Sequence, residues 1–274
     1  MIQPKNKEEL RAAITERIET KAEYCDLNDI DVSLITDMES LFEDSYFYGD
    51  ISKWDVSHVT NMANMFTNTS FNGDISSWDV SNVINMHAMF NYSAFNSDIS
   101  AWNVINVTDM SYMFTDSVFN KDISKWNVSK VKDMVSMFAR AQFMGDISTW
   151  DVSNVKDMSC MFYRNRYCFI DISDWNVSKV EDMSCMFMYS TFNGDISKWD
   201  VDNVTHMESM FFNSAFNQDI SHWNVSNVIN MDNMFMYTQF NNDIHNWNVN
   251  NVKQHNLTFD NCSIEHKYEP IFNI

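Results

Sequence analysis

Glycine and proline are scarce in this chain of 274 residues, with 4 and 2 copies respectively, so flexible and proline-rich linkers are excluded. No apolar run reaches the roughly 18 residues that a transmembrane helix needs. The first ten residues, MIQPKNKEEL, lack the apolar core of a secretory signal. We therefore expect a cytoplasmic or virion-associated protein.

Positive charge is also in short supply. The chain has 18 basic and 38 acidic residues and a formal net charge of −20. Such a molecule repels phosphate backbones and anionic lipids, so nucleic acid and membrane insertion are not expected. The 5 cysteines are odd in number and lack CxxC spacing, which argues against a disulfide scaffold and against a zinc finger.

Signatures of catalysis are missing too. The sequence has no Gly-rich phosphate loop, no nucleophile elbow and no convincing Ser/His/Asp arrangement. We therefore predict that the protein is not an enzyme. No catalytic residue, cofactor or metal site is expected, and a small-molecule substrate is not expected either.

What the chain has in abundance is a repeat. Trp occurs nine times, with a step of 24 residues everywhere except one step of 25. These residues are Trp54, Trp78, Trp102, Trp126, Trp150, Trp175, Trp199, Trp223 and Trp247. A unit this short cannot bury its own apolar face, so we expect successive copies to stack like on like. The longer copy, FYRNRYCFIDISDW, predicts a local bulge, with the register restored at Asp171 and Ile172.

Local spacing within one copy predicts its secondary structure. Trp78 and Val80 lie two residues apart around a polar residue, as in a strand. Met86, Met89 and Phe90 have the i, i+3, i+4 spacing of a helical turn. We predict an α/β solenoid, a right-handed stack of about ten coils capped by an N-terminal helix. A β-helix is the alternative.

The two ends of the chain depart from the repeat. The segment KEELRAAITERIETKA places Leu10, Ile14 and Ile18 on one face of a helix, and Asn6 with Glu9 resembles a capping box. Caps are needed because terminal coils would otherwise expose their core and unpaired edges. We predict an N-terminal helical cap over residues 1–25, a repeat solenoid over 26–253 and a C-terminal cap over 254–274.

The repeat is similar to a known one. FNGDISKWDVDNVTHMESMF and FNQDISHWNVSNVINMDNMF resemble the repeat of BspA-like leucine-rich-repeat bacterial surface proteins, which also occurs in Mycoplasma lipoproteins and some large DNA viruses. The resemblance covers about residues 6–253, because the whole word FNxDISxWxVSxVxxMxxMF recurs. It implies a leucine-rich-repeat-like solenoid with a binding or adhesion role, and it implies neither enzyme activity nor catalytic residues.

An aspartate precedes the isoleucine of each copy. This aspartate ladder comprises Asp50, Asp74, Asp98, Asp122, Asp146, Asp171, Asp195, Asp219 and Asp243. Stacked neighbours would lie about 5 Å apart, where like charges repel. We favour a structural role in which each carboxylate accepts a backbone N–H in its own Asx turn. A row of Ca²⁺ ions is the alternative, although such rows normally need Gly-rich loops.

Copies differ most after their Met-Phe pair, where residues change from mainly polar in the N-terminal half to apolar in the C-terminal half. The aromatic stripe of the C-terminal half comprises Tyr163, Arg164, Met188, Tyr189, Phe212, Met236 and Tyr237. If exposed, it has the composition of an interaction surface. The alternative is that these side chains lie half-buried beneath loops.

The leading functional hypothesis is a non-enzymatic repeat scaffold that mediates protein–protein interaction or adhesion, through a protein partner or self-association. A structural component of a virion or surface layer is the alternative.

Overall fold

Regular secondary structure is rare in this protein. The computed structural model describes residues 2–272, so Met1 of the predicted N-terminal cap and residues 273–274 of the predicted C-terminal cap lie outside the described residues. Within that range, helix α1 spans Lys7–Lys21 and a short 3-10 helix spans His266–Tyr268. The range contains no extended strand, and its bridging residues pair only in isolated parallel bridges.

The predicted α/β solenoid of leucine-rich-repeat type is therefore wrong, and so is the β-helix alternative. A helix would send each N–H to a carbonyl four residues earlier. Instead, the N–H groups of Met86 and Ala88 donate to carbonyls one copy ahead, at 3.0 and 2.8 Å. The N–H of Met89 closes a tight turn onto the carbonyl of Met86 at 3.2 Å. Consecutive turns thus produce the i, i+3, i+4 spacing that we interpreted as helical.

Successive copies nevertheless lie directly against one another as irregular coils. One residue per coil forms a parallel bridge with its equivalents before and after. The bridged series is Asp37, Asn61, Asn85, Asp109, Asp133, Asp157, Asp182, His206, Asn230 and Gln254. Because both partners of each bridge occupy the same repeat position, the coils stack in register and equivalent side chains become neighbours.

Tryptophan links each coil to the preceding one in two ways. The indole N–H of Trp78 donates to the carbonyl of Ile51 at 3.1 Å, and each of the nine tryptophans makes the equivalent bond. The rings of Trp54 and Trp78 stack with centroids 6.4 Å apart. A buried indole needs a hydrogen-bond acceptor, so this contact requires a carbonyl from the neighbouring coil.

The core is a set of parallel columns of identical residues. Phe66 and Phe90 are fully buried and stack with centroids 5.7 Å apart, and the same contact recurs along the column. Met86 and Met89 are also fully buried, as are the other methionines of their two columns. The stack therefore buries its apolar side chains against copies of themselves, which supplies the main favourable term of folding.

The copy with 25 residues contains a bulge, as predicted. Its extra residue lies between Asn165, whose Oδ1 accepts the N–H of Tyr167 at 2.9 Å, and Cys168. Cys168 is buried at the position where other coils carry a phenylalanine. The register returns at Asp171, which accepts the N–H of Ser173 at 3.0 Å, and at the buried Ile172.

Helix α1 covers the first coil. The side chain of Asn6 accepts the N–H of Glu9 at 2.9 Å, and a Glu9 carboxylate oxygen accepts the N–H of Lys5 at 2.9 Å, so the helix begins with side-chain caps. Leu10 and Ile14 are buried against the stack, while Ile18 is partly buried. This apolar face lies where a preceding coil would otherwise stack.

Candidate functional site

The backbone after each Met-Phe pair places one side chain at a corner of the coil. Arg164, Tyr189 and Tyr237 have φ of 52°, 59° and 62°, in the left-handed region that non-glycine residues seldom adopt. The N–H of Tyr189 donates to the carbonyl of Phe212 in the next coil at 2.9 Å. Inter-coil hydrogen bonding therefore holds this strained conformation, and corner residues of successive coils become neighbours.

The rings of the aromatic stripe form one continuous row of edge-to-face contacts. Tyr163 contacts Tyr189 with centroids 6.3 Å apart, Tyr189 contacts Phe212 at 5.2 Å, and Phe212 contacts Tyr237 at 5.8 Å. The interplanar angles of 73°, 66° and 83° bring ring edges against ring faces, which is the favoured aromatic geometry. The rings therefore hold each other in place.

Arginine adds positive charge to one end of this row. The guanidinium of Arg164 lies over Tyr163 at 5.4 Å and over Tyr189 at 5.0 Å from the ring centroids. Arg140, one coil earlier at the same corner, forms an ion pair with Asp116 at 2.8 Å. Arg166, two residues after Arg164 in the sequence, is exposed. A small basic area thus borders the aromatic row on an otherwise acidic molecule.

Exposure along the stripe is intermediate. Tyr237 is 49% exposed and Arg164 is exposed. The remaining members are half-buried, namely Tyr163, Met188, Tyr189, Phe212 and Met236. Each ring thus has one part held by its neighbours and another part accessible to a partner.

The N-terminal half uses the same positions differently. The hydroxyl groups of Thr67 and Thr115 donate to the carbonyls of Ala88 and Ser136, at 2.6 and 2.5 Å. These polar residues satisfy the backbone of the next coil. The change from threonine to methionine and phenylalanine in the C-terminal half therefore converts an internal hydrogen-bonding position into an apolar surface position.

The aspartate ladder lies at another corner and forms Asx turns. Oδ1 of Asp74 accepts the N–H of Ser76 at 2.9 Å, and the other eight ladder residues make the equivalent bond. Hydrogen bonds from the residue two positions later hold the pKa of all nine carboxyl groups below the ordinary value. The ladder is therefore charged at neutral pH.

The alternative of a calcium row gains no support from the geometry. Within residues 2–272, no group of three or more His, Cys, Asp or Glu side chains is arranged to hold a metal ion. Each ladder carboxylate already has one oxygen engaged by its own turn.

Exposed apolar residues at a further corner were missed by the sequence analysis. In most coils an asparagine follows the second phenylalanine, and its Oδ1 accepts an N–H of the next coil, as between Asn72 and Asn96 at 2.7 Å. Four positions of this column instead carry Tyr24, Tyr48, Met144 and Phe169, all exposed. Phe169 reaches 80% exposure. The signal available in the sequence was the departure from the asparagine column.

No helix in the part of the chain that the structure describes combines the length and the apolar character that a membrane span requires.

Comparison with known proteins identifies a family. The family model described as "Mycoplasma protein of unknown function, DUF285" matches residues 10–118, 91–190 and 164–269. The chain therefore belongs to this family. This agrees with the Mycoplasma part of the resemblance and does not by itself connect the chain to BspA proteins. No curated protein and no solved structure matches the chain.

Proposed function

We propose that this DUF285 repeat protein is a non-enzymatic scaffold that binds a protein partner, or a second copy of itself, through the aromatic stripe. The observation that carries the proposal is the unbroken row of ring contacts from Tyr163 through Tyr189 and Phe212 to Tyr237.

Three properties of the stripe support binding of a protein. Tyrosine and arginine are enriched among the residues that dominate interface energies. The rings are already positioned by their neighbours, so a partner would order few side chains on binding. The exposed Arg164 offers a donor for a carboxylate or carbonyl of the partner, beside the accessible edges of Tyr163 and Tyr189.

The rest of the molecule fits the role of a scaffold. Side chains that recur in every copy are occupied by structural contacts: the indole of each tryptophan bonds the preceding coil, and the carboxylate of each ladder aspartate bonds its own turn. Residues that vary between copies are therefore the ones free to recognise another molecule. The adhesion role implied by the BspA-like resemblance is one form that this binding could take.

The test replaces Tyr189 and Phe212 together with serine. We expect self-association, measured by sedimentation velocity over a concentration series, or retention of a partner in a quantitative pull-down from native lysate, to fall by about tenfold or more. Tyr92→Ser is the matched control, because Tyr92 occupies the same corner as Tyr189 in an N-terminal coil and is 54% exposed. Equal behaviour of wild type, double variant and control would exclude the stripe as the binding surface.

A structural component of a virion or surface layer is the second candidate. It is favoured by the last coil, where the backbone N–H groups of Leu257, Phe259 and Asn261 donate to nothing within residues 2–272. Such donors could extend the stack by pairing with another chain. End-to-end assembly seen by electron microscopy, and unchanged by the Tyr189/Phe212 substitutions, would favour this function over the first.

A further inference from the structure

A second surface, far from the stripe along the sequence, has the features of a binding groove. The exposed rings of Tyr24 and Tyr48 stack with centroids 5.1 Å apart and an interplanar angle of 16°. The N–H of Tyr48 donates to the carbonyl of Glu23 at 2.8 Å, which fixes the two residues side by side in neighbouring segments. Tyr24 is 73% exposed, so most of its surface is free.

The tyrosine pair borders an open cavity of ≈ 370 Å³. Its lining comprises Tyr24, Tyr48, Gly49, Asp50, Ser52, Gly73 and Asp74. A side chain at Gly49 would collide with the carbonyl oxygen of Cys25 and with the buried Phe47 ring. Packing against the neighbouring segment therefore demands a residue without a side chain at Gly49, next to Tyr48.

The two carboxylates of this groove carry negative charge, and Lys53, which attracts Asp50 electrostatically, lies outside the lining. Asp50 and Asp74 each use Oδ1 to accept a serine N–H, at 2.8 and 2.9 Å, and so stay fixed in place. None of the seven lining residues is basic. The groove thus combines aromatic surface with fixed anions on a molecule of net charge −20, which is complementary to a cationic ligand.

The chain contains cation–π contacts of both kinds: the ammonium of Lys267 lies 4.6 Å from the centroid of the single ring of Tyr268, whereas an arginine lies over a tyrosine pair. In the aromatic stripe, the guanidinium of Arg164 lies 5.4 and 5.0 Å from the centroids of Tyr163 and Tyr189. A guanidinium is planar and weakly hydrated, so it stacks on aromatic rings and bonds a carboxylate through two N–H groups at once. An ammonium group has no such plane.

We propose that the tyrosine groove, formed by Tyr24, Tyr48, Asp50 and Asp74, binds an arginine side chain from a basic segment of a partner protein. The guanidinium stacks against the tyrosine rings while its N–H groups donate to carboxylate oxygens of Asp50 and Asp74. This site is separate from the aromatic stripe, and the inference does not rest on the function proposed for the stripe.

The test is binding of a fluorescein-labelled Gly/Ser peptide that carries two arginines, followed by fluorescence anisotropy at physiological salt. We expect Tyr24→Ala to weaken binding by about threefold to fivefold, in keeping with an exposed cation–π contact. A peptide with lysine in place of both arginines should bind more weakly than the arginine peptide. Asp74→Asn should also weaken binding, while its amide oxygen still accepts the Ser76 N–H, as the oxygen of Asn103 does for Ile105 at 3.3 Å.

Tyr46→Ala is the matched control. Tyr46 is also 73% exposed and lies two residues from Tyr48, but it does not line the groove. An unchanged thermal midpoint for both tyrosine variants will show that the fold is retained. The Tyr189/Phe212 double variant should bind the peptide like wild type, which separates this site from the stripe.

Two results would overturn the proposal. Equal peptide affinity for wild type, Tyr24→Ala and Tyr46→Ala would mean that the peptide is attracted only by the overall negative charge. Aromatic rings beside carboxylates also suit a sugar ring, so methyl glucosides are titrated in parallel. A sugar that binds wild type and is lost in Tyr24→Ala, with the arginine peptide unaffected, would assign the groove to carbohydrate instead.

Discussion

The two terminal coils of the stack are capped by different contacts. At the N-terminal end, α1 buries Leu10 on the first coil, and the guanidinium of Arg11 donates to the carbonyls of Glu39 and Ser40 at 3.2 and 2.7 Å. Ala63 is the equivalent of Glu39 in the following coil, and its carbonyl accepts an N–H from the first coil. Arg11 therefore supplies a donor that a preceding coil would otherwise provide.

At the C-terminal end, the described residues contact the last coil through aromatic rings. Phe272 stacks on His255 with centroids 4.3 Å apart and contacts Phe259 at 6.4 Å. The N–H groups of Leu257 and Asn261, however, have no acceptor among the described residues.

The difference follows from the direction of the inter-coil hydrogen bonds. Along the Met-x-x-Met-Phe segment, each coil sends its N–H groups to the next coil and offers its carbonyls to the previous one. The first coil therefore exposes acceptors, one of which, the carbonyl of Glu39, is bonded by Arg11. The last coil exposes donors, which no arginine or lysine side chain can satisfy. Capping of such a stack is thus a different chemical problem at each end.

Removing the buried side chain of Leu10 should destabilise the N-terminal end of the stack, which α1 covers. Leu10→Ala deletes a fully buried side chain and should lower the free energy of unfolding by about 2–5 kcal/mol, measured by urea denaturation. Ile264→Ala, at the C-terminal end, is the comparison and should cost less, because Ile264 is only just buried. A larger loss for Ile264→Ala would show that the C-terminal end is the better-held one.

Hydrogen exchange should resolve the two ends residue by residue. The N–H groups of Met38 and Ser40 donate to carbonyls of the second coil, each at 2.8 Å, and should exchange slowly. Their equivalents in the last coil, at His255 and Leu257, should exchange on the order of a thousandfold faster, because no inter-coil bond must open first. Similar protection at both sets of amides would contradict the open C-terminal end.

Arg11→Gln should leave carbonyls of the first coil without a donor, as the last coil has N–H groups without an acceptor. The substitution removes the charged donor to Glu39 and Ser40, and we expect a loss of about 1 kcal/mol. The readout is the thermal midpoint together with exchange at Met38 and Ser40. Arg166→Gln, an exposed arginine far from either end, is the control and should leave both measurements unchanged.

The smallest expected change in stability comes from a substitution in the middle of the stack, at Asp133, which is distant from both ends. Burial, followed by repulsion from Asp109 and Asp157, raises the pKa of Asp133. A carboxyl whose pKa is raised by folding destabilises the protein above that pKa and ceases to do so as pH falls through it. Asp133→Asn should therefore raise the thermal midpoint slightly at pH 7, and the gain should shrink as the pH falls toward the carboxyl range.

The ladder carboxyl groups respond to acid in the opposite direction. Their pKa values are lowered in the folded protein, so their contribution is present above the unfolded-state pKa of about 4 and is lost as pH falls below it. Wild type should thus lose stability in acid, although protonation of Asp133 removes the destabilising effect of that one residue. A thermal midpoint of Asp133→Asn below that of wild type at pH 7 would contradict the assigned repulsion.

Much of the contact pattern was predictable from the sequence, and the secondary structure was not. The period of Trp54 to Trp247 predicts like-on-like stacking, and the aspartates before isoleucine predict Asx turns, since both depend on local chemistry and register. The capping box of Asn6 and Glu9 predicted the start of α1. The helical interpretation of Met86 and Met89 failed because successive tight turns give the same spacing as a helix.

The sequence by itself determined which residues become neighbours, because a fixed period brings identical side chains together whatever backbone connects them. Only the tertiary structure decided which carbonyl accepts each backbone N–H. In the turns around Ala88 and Tyr92, with φ of 51° and 53°, alternate N–H groups bond to the next coil, and those bonds hold a conformation that an isolated segment would not keep. The rows at the corners, including the aromatic stripe and the tyrosine groove, exist because that backbone repeats from coil to coil.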